Sequence, residues 1–129
     1  MDLNTAGLFL DLRARGETAE GILEKFPPPA YFTARIDGAA VPGKAELMAA
    51  LAAAFSFPSY FGRNWDALLD CLRSLPDEKP AGGYLLVIEH SDSLLASSAR
   101  DREDFAEVAG DARSFLLEKR GIPFSIALL

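Results

Sequence analysis

The sequence predicts an α/β fold, in which a small parallel sheet of three strands packs against helices. The first observation is the order of patterns along residues 31–129: strand, helix, helix, strand, helix, helix and strand. The second is Tyr84–Ile88, a nearly continuous apolar run typical of a central parallel strand that helices cover. With 129 residues, the chain is long enough for one domain with a sizeable core.

The first strand and helix of this domain lie between residues 31 and 55. Tyr31–Asp37 alternates, is rich in β-forming residues and ends at the turn pair Asp37-Gly38. Pro42-Gly43 then breaks the chain. Residues 45–55 are rich in Ala and Leu around most of the helix circumference, which predicts a largely buried helix.

The second helix is expected to begin at Asn64, since an Asn side chain can accept a hydrogen bond from a free amide of the first turn. We expect this helix to reach Leu75 and to end at Pro76, with a loop over residues 77–83. In the turn before it, Gly62 permits a backbone conformation with positive φ.

The last third of the chain predicts a short helix, a long helix and a strand. Ser91 and Asp92 could cap a short helix through Leu95. Residues 101–119 carry apolar side chains at spacings of three and four, and Gly121 is well placed to end that helix. Residues 124–129 form the final strand.

Residues 1–30 are predicted to be an N-terminal extension of unknown role. Residues 8–12 could form a short strand and residues 19–26 a short helix, while the run Pro27-Pro28-Pro29 predicts a stiff, extended connector. We expect a packed or frayed extension, without which residues 31–129 fold and bind. A regulatory or second-partner segment is the alternative.

Composition narrows the classes of partner. The net charge of −6 and the pI of about 4.7 disfavour nucleic acid and favour a basic protein. One cysteine, Cys71, rules out an intrachain disulfide and suits a reducing compartment. No run approaches the roughly 20 apolar residues of a membrane helix, and Asp2 is the wrong charge for a signal peptide. We therefore expect a cytoplasmic monomer with no membrane contact.

The segment from Phe57 to Leu72 carries the functional prediction. Asp66 and Asp70 are four residues apart on the predicted helix, so their carboxylates share a face and repel each other. This repulsion does not help folding, but two neighbouring negative charges would attract a cationic partner. A catalytic pair would instead face each other across a substrate cleft, and a solvated helix start is the structural alternative.

Residues Tyr60 to Leu72 resemble the barstar family of intracellular ribonuclease inhibitors, because turn, cap, acid pair and a following Cys-Leu occur together. Strand-like segments at 34–38 and 84–89, a long helix near 105–120 and a closing strand at 121–128 extend the resemblance over residues 31–129. The resemblance implies a barstar-like, three-stranded fold.

The resemblance also implies how the protein acts. The helix and its preceding turn would plug the active site of a secreted ribonuclease, with carboxylates replacing substrate phosphates before Arg and Lys side chains. Asp70 would be the main anchor, Asp66 its companion, and Tyr60 would stack on the catalytic surface. The predicted partner-binding residues are Tyr60, Phe61, Gly62, Asn64, Trp65, Asp66, Ala67 and Asp70.

Three positions depart from the family pattern. Phe61 stands where the best-known member has a second Tyr, and Arg63 stands where that member has an acid. Leu117 falls, with a one-residue gap, near an acidic contact residue on the last helix, and the neighbouring Glu118 should point elsewhere. These departures disfavour an identical partner but not a related one.

The leading hypothesis is a bacterial antitoxin or immunity protein that inhibits a basic ribonuclease about one to one, without cofactor or chemistry. The second is a barstar-like module that binds another cationic protein. The third is an enzyme that uses Asp66, Asp70 and His90. No catalytic motif supports the third, and a lone His90 with one cysteine does not suggest a metal site.

Overall fold

The computed structural model describes residue 3 and residues 6–129. Within these residues four parallel strands form one sheet, in the spatial order β1-β4-β3-β2. The strands are β1 (Phe9–Asp11), β2 (Tyr31–Asp37), β3 (Gly83–Glu89) and β4 (Phe124–Leu128). The predicted three-stranded sheet is therefore wrong. The extra strand comes from the N-terminal extension, whose Phe9 lies opposite Ile126.

The helices connect the strands. They are α1 (Ala19–Lys25), α2 (Lys44–Phe55), α3 (Trp65–Arg73), α4 (Leu75–Glu78) and α5 (Ala99–Phe115). Short 3-10 turns occupy Gly38–Ala40 and Ser91–Ser93, so the helix expected to run to Leu95 is one turn long. Among the described residues, no helix combines the length and the apolar character needed to cross a membrane.

Side-chain caps begin α1, α3 and α5, and the last of these caps explains a shifted boundary. The Ser98 hydroxyl accepts a hydrogen bond from the Asp101 amide at 3.1 Å, so α5 begins at Ala99 rather than at residue 101. Pro76 lies in the first turn of α4, where its missing N–H costs nothing. It therefore opens a short helix in a region expected to be a loop.

A π-helical turn, Leu116–Arg120, continues α5 until Gly121, whose φ of 65° ends it. A π turn holds one residue more than an α turn. Leu117, near which the resemblance needed a one-residue gap, lies on this π turn and is partly buried.

The sheet is covered on both faces, as the apolar run in β3 predicted. On one face, side chains of α2, α3 and α5 pack on Leu86, Ile88 and Ile126. On the other face, residues of the extension pack on Leu85 and Val87. The buried residues that the extension contributes to this second core are Leu3, Leu12, Ala19, Ile22 and Phe26.

Polar contacts also attach the extension to the sheet. Arg113 of α5 donates to the Phe124 carbonyl at 2.6 Å, to Ser125 Oγ at 3.0 Å and to the Ala6 carbonyl. The fully buried Ser125 donates in turn to the Gly7 carbonyl at 3.0 Å. Burial lowers the pKa of the Arg113 guanidinium, and the carbonyl and hydroxyl oxygens replace its hydration.

The triple proline forms a turn rather than the expected extended connector. Residues 28–30 are turn residues, Pro28-Pro29 is a cis peptide, and the Tyr31 amide donates to the Pro27 carbonyl at 3.2 Å. The chain therefore reverses direction before entering β2. The division of the chain into two parts at residue 30 stays a prediction.

Candidate functional site

Stacked aromatic rings support the turn before α3. The ring of Phe57 stacks on the fully buried Phe55 with centroids 5.6 Å apart, and Phe61 meets Phe57 edge-on at 5.1 Å. The Phe61 amide donates to the Pro58 carbonyl at 3.0 Å. These contacts hold the turn against the core, and they leave the Tyr60 side chain 80% exposed on the turn.

The left-handed residue of this turn is Arg63, with φ of 53°, and not Gly62 as the sequence suggested. A Cβ added to Gly62 would lie 3.4 Å from Ala67 Cβ and 3.4 Å from Asn64 Nδ2. Gly62 therefore permits a close approach to the first turn of α3, while Arg63 takes the less common backbone conformation. The Arg63 side chain is exposed.

Asn64 caps α3 as predicted. Its side-chain oxygen accepts a hydrogen bond from the Ala67 amide at 2.8 Å, and its amide nitrogen donates to the Gly62 carbonyl at 3.4 Å. The cap joins the aromatic turn to the helix start and sets the direction of α3. Asp66 lies in the first turn, where its charge suits the positive end of the helix dipole.

Asp66 and Asp70 are both exposed, and within the described part of the chain neither forms an ion pair. Asp70 and Tyr60 line one groove of about 100 Å³, whose apolar floor includes Phe55, Phe57 and Leu75. This groove brings the predicted anchor and the predicted stacking residue together. Two further charged residues on its wall, Glu78 and Lys79, were missed because residues 77–83 were predicted to be a loop.

Trp65 and Asp66 line a second groove, of about 250 Å³, between α3 and α5. Its acidic wall also contains three α5 residues, Asp104, Glu107 and Asp111. Their spacings of three and four residues place them on one helix face, a signal that sequence reasoning could have used.

Trp65 is half-buried, and Lys44 Nζ lies 5.2 Å from the centre of its ring. The Trp65 side chain also packs against the hydrophobic core that lies between the sheet and the helices α2, α3 and α5. Trp65 thus packs on the core and also lines a groove, while its role in partner binding stays a prediction.

Cys71 follows Asp70 and is partly buried in the wall of the first groove. Burial raises the pKa of the Cys71 thiol, and the charges of Asp70 and Glu78 raise it further. A raised pKa keeps the thiol protonated at neutral pH and lowers its reactivity.

The grooves around α3 do not bring His90 together with Asp66 or Asp70, the three residues of the enzyme hypothesis. His90 follows β3, and its Nδ1 lies 2.7 Å from an oxygen of Asp37. Neither groove that contains Asp66 or Asp70 includes His90. Among residues 3 and 6–129, no group of three or more His, Cys, Asp or Glu side chains is placed to hold a metal ion.

Comparison with known proteins places this site in a family. The family model described as Barstar (barnase inhibitor) matches residues 31–128, which is most of the chain. The protein belongs to the barstar family. The match contains the aromatic turn and α3, and it begins where β2 begins, so β1 and α1 lie outside it. A search of curated proteins found no match.

Membership confirms the resemblance inferred from Tyr60 to Leu72. Members of the barstar family are inhibitors rather than enzymes, and they bind ribonucleases. The roles of the eight predicted partner-binding residues stay predictions, because the structure contains no partner.

Proposed function

We propose that this protein is a stoichiometric inhibitor of a basic ribonuclease and that it covers the enzyme's active site with α3 and the preceding aromatic turn. The observation that carries the proposal is that Asp70, an exposed carboxylate that forms no ion pair with any described residue, shares one groove of the matched region with the exposed Tyr60. In this proposal the inhibitor acts in the bacterial cytoplasm as an antitoxin or immunity protein.

The proposed mechanism is electrostatic mimicry. A ribonuclease active site holds cationic side chains that bind phosphates, and a carboxylate offers an Arg two parallel hydrogen bonds. Asp70 would occupy the centre of that site, with Asp66 one helical turn away. The ring of Tyr60 would add contact area at little entropic cost, since Tyr has few rotatable bonds.

The turn and the helix start are supported before any partner arrives. The stack of Phe55, Phe57 and Phe61 fixes the turn, and the Asn64 cap fixes the first turn of α3. A surface that is already ordered loses less conformational entropy on binding. This order would allow a small acidic surface to bind tightly.

A second candidate is a barstar-like module for another cationic protein. Two departures favour it: Arg63 is exposed and positively charged beside the acid pair, and Leu117 on the π turn is partly buried and carries no charge. Such a surface would suit a partner whose cationic cleft has an acidic rim near the turn.

Titration of ribonuclease activity tests the leading proposal. Barnase, cleaving a fluorogenic RNA at fixed concentration, is mixed with increasing amounts of the purified protein. We expect activity to fall linearly to zero near one equivalent. Full activity at a large excess of protein would contradict inhibition of a barnase-type enzyme. If the protein also failed against basic ribonucleases encoded beside its gene while binding another cationic protein, the second candidate would replace the first.

A further inference from the structure

The added strand β1 widens the sheet beyond the helices that cover it. Phe9 of β1 lies opposite Ile126 and so on the face that α5 covers, yet among the described residues it is not a buried or partly buried member of either hydrophobic core. Phe9 is 42% exposed, and it and Tyr60 are the large apolar side chains that the described residues leave exposed. The proposed ribonuclease contact explains the exposure of Tyr60 but does not explain the exposure of Phe9.

A groove lies beside Phe9 on the same face. Its volume is about 140 Å³, and apolar side chains form most of its wall, among them Phe9, Phe105 and Leu128. Arg102 of α5 is the charged residue of that wall, and it forms no ion pair within residues 3 and 6–129. Apolar walls with a single guanidinium fit an apolar group that carries a carboxylate.

The backbone of β1 also offers hydrogen-bonding groups, along the edge of the sheet that β1 forms. The Leu8 carbonyl accepts from the Ile126 amide at 2.7 Å, and the Leu12 amide donates to the Leu128 carbonyl at 2.9 Å. Because successive residues of a strand direct these groups to opposite sides, Phe9 and Asp11 direct theirs away from β4. Within residues 3 and 6–129 the sheet ends at β1, so these groups face its open edge.

We propose that the open edge of β1 and this groove bind an extended, apolar segment of a second protein, with a carboxylate of that segment paired to Arg102. Strand addition at an exposed edge supplies backbone hydrogen bonds, while the groove and the guanidinium supply specificity. The groove shares no lining residue with the two grooves around α3, so this surface is independent of the proposed ribonuclease site.

Peptide titration followed by amide NMR of the full chain tests the proposal. The probe is an acetylated peptide of alternating Val and Thr with one central Glu, and the matched probe has Gln at that position. We expect shifts concentrated at Phe9, Asp11 and Arg102, and about tenfold weaker binding of the Gln peptide. Arg102→Gln should weaken binding of the Glu peptide by about the same factor and should abolish its preference over Gln.

Arg100→Gln on the same helix is the matched control and should leave peptide binding unchanged, since Arg100 lies outside the groove. Phe9→Thr keeps a β-forming residue and should weaken both peptides, with unfolding midpoints recorded for every variant. No shifts at millimolar peptide, shifts centred elsewhere, or equal affinity for both peptides would overturn the proposal. None of these results depends on ribonuclease inhibition, which the same variants should retain.

Discussion

Phe26→Ala should destabilise the protein as strongly as a central core substitution, although Phe26 lies outside the family match. The side chain is 1% exposed, belongs to the second core with Leu85 and Val87, and meets the ring of Tyr31 edge-on at 5.1 Å. Truncating a buried Phe costs about 3–5 kcal/mol. A domain of this size loses roughly 4 °C of Tm per kcal/mol, so the midpoint should fall by about 10–20 °C.

Phe9→Ala is the matched control, because Phe9 belongs to the same extension but is 42% exposed and packs into neither core. Its loss should cost about 1 kcal/mol, in proportion to the smaller area removed from water. Urea unfolding followed by circular dichroism gives both values. Equal costs for the two variants would refute the view that the extension completes the second core. Equal costs would instead agree with the prediction made from the sequence alone, that residues 31–129 fold without the extension.

Three further predictions concern binding, packing and acid stability. Affinity for the ribonuclease should fall steeply as salt rises in calorimetric titrations, since ions screen an acidic surface from a basic partner, and a salt-independent affinity would contradict mimicry. Gly38→Ala should cost about 1–3 kcal/mol in urea unfolding, because its Cβ would lie 2.9 Å from the Glu89 carbonyl oxygen, whereas Gly7→Ala has open space and should be neutral. Hydrogen bonds from Arg13 lower the pKa of Asp11 from 3.8 to about 2, so Asp11→Asn should lose stability relative to the parent above pH 4, and that difference should vanish as pH falls through about 2. A difference that persists at lower pH would argue against the ion pair.

The family fold followed from the sequence because its signals are local. The apolar run of β3, the Asn64 cap and the Cys-Leu after Asp70 each depend on a few neighbouring residues. A short strand was expected at residues 8–12, but its place in the sheet was missed, because β1 is three residues long and pairs with β4, which is more than a hundred residues away. Its attachment through Arg113 and Ser125 leaves no periodic pattern in the sequence.

The candidate site was predictable in composition but only partly in geometry. Asp66 and Asp70 share a helix face, yet they line different grooves, because α5 packs beside one edge of α3. The left-handed backbone conformation was expected at Gly62 but occurs at Arg63, because the aromatic stack and the Asn64 cap together decide where the chain turns. Tertiary contacts of this kind cannot be read from turn preferences alone.

The dissociation rate of Asp70→Ala from an inhibited ribonuclease tests the central claim most directly, with Glu24→Ala, an exposed acid on α1, as the matched control. Among the residues that the structure describes, Asp70 has no ion pair to lose, so unfolding midpoints of both variants should stay near that of the parent. In the complex, loss of Asp70 would leave a buried partner cation unpaired, at a cost of about 2–5 kcal/mol, and dissociation should accelerate accordingly. Glu24→Ala should dissociate like the parent. If Asp70→Ala dissociates as slowly as Glu24→Ala, or unfolds the protein, the acid pair is structural and the inhibitor assignment loses its main support.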